Sequence, residues 1–408
     1  MGVELLSPAG SVEKLRLALA YGADAAYLGF SDFSLRTNAK NFSDAELETV
    51  RAIKAQSGKK LYCTMNMLFD QSRIERLKDQ LPLIKTWPFD AYIISDMGLV
   101  DLLRTHLGDD VQLHLSTQAS CTNAESAALY HRLGFSRVIL GRETALADIK
   151  AIKDRNPDLE LEVFVHGAMC MAYSGRCLLS TFMTGRSANQ GDCAHSCRWK
   201  YRLALEEEER KGSYLPIIEE DGYTTILSSA DLCMIDYLQQ IIDSGVDSLK
   251  IEGRMKSSYY VAVVTRAYRK ALDSLGTGDE GWTEFRKDLF AVSHRQYSTG
   301  FFFPGQQGAI TEEPYQRPYL FCGIFIAEVE PGVWEIDLKN QLHSDMTLEY
   351  ITFDRAVIED SDFTLLDETG TAVQQADHPK RYYLKTNKAV TPDAIIRRPS
   401  RSHERARA

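Results

Sequence analysis

The sequence predicts an α/β protein: a TIM-like (β/α)8 barrel followed by a small C-terminal all-β barrel domain. In the first two-thirds of the chain, eight short apolar runs alternate with amphipathic helical patterns. From about residue 317 onward the pattern changes to short alternating strands, which is typical of a small β domain. The alternative to a barrel is a doubly wound open sheet. It is disfavoured because no GxGxxG motif follows the first strand.

The barrel elements are predicted one by one from periodicity and capping residues. Helical patterns such as 11–22, 43–58 and 97–108 carry Ser or Asp near the start and Gly at the end, as helix caps require. The apolar runs between the helices predict the eight strands, at 3–7, 25–30, 60–66, 91–95, 111–116, 137–141, 161–167 and 247–253.

The regular alternation stops after His166. The insertion that follows, residues 170–233, contains most of the cysteines and a hairpin predicted from 201–208 and 223–229. In a barrel, an excursion after the carboxyl end of a strand lies on the catalytic face. We therefore divide the chain into a barrel with this insertion (1–291), a linker (292–316), a small β-barrel domain (317–396) and a basic tail predicted to be disordered (397–408).

Composition places the chain among soluble proteins. Its 408 residues include neither a signal peptide pattern nor an apolar run long enough to cross a membrane, so we expect a cytoplasmic location and no membrane contact. The net charge of −10 disfavours a protein that coats nucleic acid, yet residues 377–408 hold nine basic and three acidic residues. This basic end is either a nucleic-acid contact or a solvated tail. The sequence does not fix the oligomeric state.

Five of the eight cysteines fall within the insertion: Cys170, Cys177, Cys193, Cys197 and Cys233. Their spacing is neither that of paired zinc-finger CxxC motifs nor the tight run of a bacterial ferredoxin. Structural disulfides are rare in cytosolic proteins, so the sequence favours ligation of a four-iron cluster or of zinc. The alternative is a set of scattered buried cysteines. Packing is the better interpretation for Cys63, Cys121 and Cys322, which lie in apolar contexts.

Polar residues follow several predicted strands at the point where each ends. His166 is a candidate acid, base or hydrogen-bond donor, and its alternative is a structural histidine. Arg142 and Arg254 are candidates for anion binding, because a guanidinium pairs bidentately with carboxylate or phosphate. The alternative for each arginine is a solvated salt bridge. Further polar residues at such positions are His114, Ser116, Gln118, Glu143, Glu252 and Lys256.

With these residues identified, the chain resembles peptidase family U32, also called collagenase-like proteases. The single small β domain and the chain length resemble the branch of this family that hydroxylates tRNA. The segments that carry the resemblance are ELLSPAGSVEKLRLALAYGADAAYLG, LHLSTQAS, EVFVHGAMCMAYSGRC, NQGDCAHSCRW, SSADLCMID and LKIEGRMKSSYYVA.

The resemblance implies a tRNA hydroxylase that converts a wobble uridine to 5-hydroxyuridine, with prephenate as co-substrate and without molecular oxygen. It also implies a 4Fe-4S cluster. Ligands in some relatives match Cys170, Cys177, Cys193 and Cys233, whereas others use the pair matching Cys193 and Cys197, so Cys197 is the alternative fourth ligand. The expected partners are tRNA and prephenate.

The resemblance supplies no catalytic residue, and the candidates stay His166, Arg142, Arg254 and Arg176. Because prephenate is a dicarboxylate, the three arginines are predicted to anchor it. In the β domain, Tyr382 and Tyr383 are predicted to stack on RNA bases, since Arg381 and Lys385 flank them.

Two other functions are considered. A peptidase is suggested by the family's name, but the chain has neither HExxH nor GxSxG, and Cys170 bound to iron could not act as a nucleophile with His166. A cluster-bearing accessory subunit for another hydroxylation, of rRNA or of a quinone ring, is the third possibility. The β domain and its basic end favour RNA.

Overall fold

The structure is a computed structural model, which describes residues 2–30, 33–34, 42, 44–170, 172–199, 204–206, 214–216, 229–278, 280–304 and 315–400. The chain divides into two compact units. The first consists of Met1–Glu4, Tyr27–Met255 and Arg295–Pro314, and the second of Leu5–Ala26, Lys256–His294 and Tyr315–Ala408. Within the described ranges, none of the helices has the length and apolar character needed to cross a membrane.

Eight parallel strands form a closed barrel, as predicted. The order of neighbours is β11-β1-β2-β3-β4-β5-β6-β7, and β7 pairs in parallel with β11, which closes the sheet. Each strand lies within two residues of its predicted position. The strands are β1 (Glu4–Ala9), β2 (Ala25–Gly29), β3 (Lys60–Met65), β4 (Ala91–Ile94), β5 (Leu113–Leu115), β6 (Phe135–Ile139), β7 (Glu160–Ala168) and β11 (Ser248–Ile251).

The helices begin and end close to the predicted caps. Ser11 accepts a hydrogen bond from the backbone N–H of Lys14 and so caps α1, and Gly58 ends α2 in the left-handed conformation. Helix α2 begins only at Leu47, because a 3-10 turn precedes it. The helices are α1 (Val12–Ala20), α2 (Leu47–Ser57), α3 (Gln71–Ile84), α4 (Gly98–Leu107), α5 (Ala124–Arg132), α6 (Leu146–Arg155), α7 (Leu179–Thr184), α8 (Leu238–Asp243), α9 (Ser258–Ser274) and α10 (Trp282–Arg286).

Buried charges fill the interior of the barrel near the amino ends of its strands. Arg137 contacts Glu4 at 2.6 Å and Glu162 at 3.0 Å, and the Lys250 ammonium lies 2.8 Å from Glu162. Tyr62 donates to Glu4 at 2.6 Å. Burial opposes ionisation of Glu4, but Arg137 outweighs it and lowers the pKa of that carboxyl. Since the active sites of such barrels lie at the opposite, carboxyl end of the strands, we assign the network a structural role.

Among its described residues, the insertion has three strands, β8 (Ala204–Glu206), β9 (Tyr214–Pro216) and β10 (Asp231–Cys233). Strands β8 and β9 pair as a hairpin. Residues 223–228, most of the second strand of the predicted hairpin, lie outside the described residues, so the pairing of 201–208 with 223–229 stays a prediction. Strand β10 returns antiparallel to β7 and also pairs with β12 (Tyr297–Ser298).

The C-terminal domain is an antiparallel half-barrel. Its eight-stranded sheet has the order β17-β16-β22-β13-β14-β21-β18-β19, with a separate β15–β20 pair. One apolar core, which includes Phe325, Trp334 and Tyr350, lies within it. The strands are β13 (Tyr319–Glu330), β14 (Val333–Leu338), β15 (Leu342–His343), β16 (Leu348–Ile351), β17 (Ile358–Asp360), β18 (Thr364–Leu366), β19 (Ala372–Val373), β20 (Gln375–Ala376), β21 (Tyr382–Lys385) and β22 (Ile395–Pro399).

A buried ionic network joins this domain to α9 within the second unit. Arg397 on β22 lies 2.8 Å from Glu349 and 3.0 Å from Asp288, and it donates to the Tyr259 hydroxyl at 3.0 Å. Asp288 also pairs with Arg266 at 2.5 Å. Both arginines are buried, so their charges are compensated by carboxylates rather than by water.

This network corrects the predicted boundary of the β domain. Strand β22 ends at Pro399, so Arg397 and Arg398 belong to the domain and not to a disordered tail that starts at 397. Arg397 is therefore buried and does not contribute to the predicted basic surface. Residues 401–408 lie outside the described residues.

The prediction that Tyr382 and Tyr383, both on β21, stack on RNA bases is also corrected. Tyr382 is buried in the domain core, because the alternation of β21 turns it inward. Tyr383 is half-buried, and the guanidinium of Arg381 lies 5.5 Å from its ring while pairing with Glu335 at 2.9 Å. Tyr382 is therefore not available to bind RNA.

Candidate active site

Polar side chains lie at the carboxyl ends of the barrel strands. Asn66 follows β3 and donates to Ser116, which follows β5, at 3.4 Å. Arg142 follows β6, His166 lies near the end of β7, and Arg254 follows β11. Since this end of a (β/α)8 barrel is where catalysis takes place, we treat it as the candidate active site.

Arg142 is held by both β7 and the segment after β11. Its guanidinium donates to the Ala168 carbonyl at 2.7 Å and lies 3.5 Å from the Glu252 carboxylate. It also stacks 4.0 Å from the centroid of the Phe164 ring. A cation on an aromatic face is fixed in orientation, so Arg142 is positioned before any ligand arrives. Its Nε atom is buried with no hydrogen-bond partner among the described residues.

Arg254 is buried, with only 3% of its surface exposed. Its Nη1 donates to Ser34 at 2.7 Å and to Thr64 at 3.2 Å. The guanidinium occupies the space above Gly29, where a Cβ atom would lie 1.7 Å from Nη2. Glycine at position 29 is therefore required for this placement of Arg254.

His166 lies beside the cysteine-bearing insertion. Its position in β7 is directly opposite Cys233 on β10 and Ile251 on β11. The side chain is fully buried, and its ring centroid lies 5.3 Å from that of Tyr297. The register of β7 against β11 shifts here, which ends the regular alternation of the strand.

Four cysteines of the insertion lie near one another. Burial raises the pKa of the Cys197 thiol, Arg198 opposes this effect, and like-charge repulsion from the sulfurs of Cys170, Cys193 and Cys177 adds to it. Because such repulsion falls with distance, the sulfur atoms of Cys170, Cys177 and Cys193 each lie in the neighbourhood of Cys197. Within the described residues, no group of three or more His, Cys, Asp or Glu side chains is close enough to hold a metal ion in this conformation.

The donor set nevertheless fits a thiolate-bound cluster. All eight cysteines are free thiols, and Cys170 is exposed while Cys177, Cys193, Cys197 and Cys233 are half-buried. The backbone N–H of His195 donates to the Cys193 sulfur at 3.4 Å, a type of hydrogen bond that tunes cluster sulfurs. The remaining cysteines, Cys63, Cys121 and Cys322, are buried elsewhere, and burial raises the pKa of Cys121 to about 11 and that of Cys322 to about 12.

The insertion is fastened to the barrel rim at Ser174. Its backbone N–H and hydroxyl both donate to Glu143, at 2.8 and 3.2 Å, and its carbonyl accepts a hydrogen bond from the Ser120 hydroxyl. Next to it, Gly175 has a φ of +74° and lies so close to the Gln118 carbonyl that a Cβ atom would be 2.0 Å from that oxygen. The loops after β5 and β6 thus fix the start of the insertion.

The sequence-predicted arginines differ in environment. Arg254 is buried and Arg142 partly buried, whereas Arg176, on the insertion, is exposed. The role of Ser174 was missed, since a serine between two cysteines carries no distinctive signal.

Asp231 was also missed. It accepts from the backbone N–H of Arg295 at 3.1 Å, and its second carboxylate oxygen is buried with no partner among the described residues. Its signal was an acidic residue within an otherwise apolar strand.

The chain belongs to peptidase family U32. The model of peptidase family U32 matches residues 10–312, and that of the U32 C-terminal domain matches residues 317–397. Both matches confirm the resemblance that the cysteine-bearing segments carried.

Several named proteins are similar to this chain. tRNA hydroxylation protein P of Escherichia coli (strain K12) is 34% identical, over 86% of this chain and 86% of that protein. tRNA hydroxylation protein P1 of Bacillus subtilis (strain 168) is 33% identical, over 97% and 94%. A 23S rRNA 5-hydroxycytidine synthase of Escherichia coli (strain K12) is 35% identical over 80% of this chain, which spans 48% of that protein.

Proposed function

We propose that this protein is a tRNA-modifying enzyme that hydroxylates the wobble uridine at C5, with prephenate as co-substrate and a 4Fe-4S cluster as cofactor. One observation carries the proposal. A relative named as a tRNA hydroxylation protein aligns with 97% of this chain, so the alignment includes the cysteine-bearing insertion and most of the β domain. The rRNA relative is named for the synthesis of 5-hydroxycytidine, a pyrimidine hydroxylated at position 5, and this supports C5 as the position proposed here.

The cluster is assigned to Cys170, Cys177, Cys193 and Cys233, with Cys197 as the alternative fourth ligand. Cys170, Cys177, Cys193 and Cys197 are free thiols of one 28-residue segment, which supports a thiolate-only ligand set. Cys233 lies on β10, which pairs with the carboxyl end of β7. Cys170 comes shortly after that end of β7 in the sequence. Such a cluster, once bound, supplies one-electron transfer. Because five thiols are available for four places, we expect full protein ligation.

The co-substrate is assigned to the arginines of the rim. Prephenate carries two carboxylates, and an arginine can bind each one through two parallel hydrogen bonds. Arg142 and Arg254 suit this role because Phe164, Ser34 and Thr64 already hold their guanidinium groups in place. Arg176 is exposed, so we assign it to the RNA rather than to the small substrate.

His166 is the candidate for proton transfer at this site. It is fully buried beside Cys233, so it is shielded from bulk water and can hold a proton near the reacting groups. A His166→Gln variant that retained iron and lost activity would support this assignment.

A peptidase is the competing function, because the family description names one. A cysteine peptidase built on Cys170 would need a histidine within hydrogen-bond reach. The nearest in sequence, His166, is fully buried, whereas Cys170 is exposed. These environments disfavour such a dyad.

The test is mass analysis of tRNA nucleosides from a strain that lacks this protein. We expect 5-hydroxyuridine and nucleosides derived from it to disappear and to return when the wild-type chain is supplied. Gelatin and peptide cleavage by the purified protein is measured in parallel. Unchanged tRNA nucleosides together with peptide cleavage would show that the protein is a peptidase instead.

A further inference from the structure

Helix α7 exposes a strongly apolar face. Among the residues that the structure describes, Phe182 and Leu178 are the most exposed large apolar side chains, at 89% and 74%. The Phe182 N–H donates to the Leu178 carbonyl at 2.9 Å, so the two side chains are one helical turn apart and share a face. We call these two residues the α7 face. It directly follows Cys177.

The opposite side of the helix is anchored. Ser180 is buried, and its hydroxyl accepts a hydrogen bond from the backbone N–H of Ala194 at 2.9 Å. The helix also packs against the turn Ser196–Arg198, which contains Cys197. The outward direction of the α7 face is therefore fixed by the fold of the cysteine-bearing segment.

The segment that carries the α7 face, residues 170–199, also has exposed aromatic and basic side chains. Tyr173 and Trp199 are 49% and 44% exposed, and Arg176 is exposed as well. Residues 170–199 contain three arginines and one acidic residue, Asp192, in a chain whose net charge is −10. Exposed apolar surface with local positive charge on an acidic protein points to an anionic partner that has flat apolar groups.

We propose that the α7 face is a stacking platform for unpaired RNA bases next to the nucleotide that reacts. This inference rests on the proposed function and names the surface that receives the RNA. Single-stranded nucleic acids are bound by aromatic side chains that stack on bases and by nearby cations that contact phosphates. Phe182 supplies the ring, Leu178 supports it, and Arg176 supplies the charge. The arginines of the segment favour RNA over a docked protein, because the phosphate backbone of RNA is anionic.

The experiment measures binding of tRNA, isolated from the deletion strain, to the full-length protein by fluorescence anisotropy. Phe182→Leu keeps the apolar character but removes the ring, and Phe182→Trp keeps a ring. We expect about tenfold weaker binding for Phe182→Leu and near wild-type binding for Phe182→Trp. The matched control is Leu129→Ala, which alters a 47% exposed leucine on α5 and leaves binding unchanged. Iron content is determined for each variant and is expected to be unchanged.

Failure of the stacking platform and failure of the proposed function give different results. If the wild-type protein binds tRNA and Phe182→Leu binds it equally well, the stacking platform is disproved while the proposed function stands. If the wild-type protein does not bind this tRNA at all, the proposed function fails. Equal weakening by Phe182→Leu and Leu129→Ala would likewise overturn the platform, because the effect would then not depend on the aromatic ring.

Discussion

The Glu143 carboxylate accepts hydrogen bonds from both the backbone N–H and the hydroxyl of Ser174, at 2.8 and 3.2 Å. Glu143 follows β6, whereas Ser174 lies between Cys170 and Cys177. One side chain of the barrel rim thus fixes the loop that carries two proposed ligands. The other oxygen of Glu143 is buried and has no partner among the described residues. The position of the cysteines therefore depends on the barrel rim.

Gly175→Ala tests this dependence. A methyl group there would meet the Gln118 carbonyl at 2.0 Å, in addition to the cost of a left-handed alanine. Gly185→Ala is the matched control, since Gly185 has a φ of +71° with no atom within 4 Å. We expect Gly185→Ala to cost about 1 kcal/mol and keep its iron, and Gly175→Ala to cost more and lose iron. Urea unfolding and iron analysis measure both. Equal iron content in the two variants would contradict the account.

Replacement of Arg254 is predicted to impair substrate use more than cluster content. Arg254→Ala removes a buried guanidinium held by Ser34 and Thr64, and Arg254→Lys keeps the charge but loses the planar fork. We expect KM for prephenate to rise about tenfold or more in both variants, with iron unchanged. Arg51→Ala, on the exposed side of α2, is the control and leaves KM unaltered. A loss of iron with KM unchanged would assign Arg254 to the cluster instead.

The cysteine variants separate ligands from packing residues. We expect Cys170→Ala, Cys177→Ala, Cys193→Ala and Cys233→Ala to lose iron and sulfide, because each removes one thiolate from the assigned set. The controls are Cys63→Ala, Cys121→Ala and Cys322→Ala, whose side chains are buried and whose positions lie outside residues 170–233. Iron retention in Cys233→Ala combined with iron loss in Cys197→Ala would make Cys197 the fourth ligand.

Arg397 is predicted to stabilise the second unit. Arg397→Ala would leave the carboxylates of Asp288 and Glu349 buried without this cation, at a cost of about 3 kcal/mol or more. Its neighbour Arg398 donates to a backbone carbonyl at 3.2 Å, so Arg398→Ala is the control and should cost about 1 kcal/mol. Thermal unfolding compares them. Similar melting temperatures in the two variants would show that the buried network contributes little.

The barrel was predictable because its signals are local. The eight strands are apolar runs, and Ser11 and Gly58 cap helices at the predicted places. The rim positions of Arg142 and Arg254 also followed from the sequence, since residues after parallel strands meet at one end of a barrel.

The features of the fold and of the site that were not predicted depend on contacts between residues distant in sequence. From the sequence, Arg397 and Tyr382 were expected at the surface, because their neighbours are basic. In the structure, Arg397 is buried against Tyr259 of α9, and Tyr382 is buried in the core of the β domain. Two hydrogen bonds join Ser174 to Glu143, which lies 31 positions away in the sequence. Helix and strand periodicity do not predict such contacts. The pairing of β8 with β9 was not predicted, because segments of similar β propensity compete for pairing.

The most direct test of the central claim is hydroxylation by the purified protein. The anaerobically isolated chain is incubated with tRNA from the deletion strain, with and without prephenate, and the nucleosides are analysed by mass spectrometry. We predict 5-hydroxyuridine only when wild-type protein and prephenate are both present, and none with Cys170→Ala. Formation of the same amount with Cys170→Ala, or the absence of 5-hydroxyuridine with the iron-loaded wild-type protein, would contradict the account.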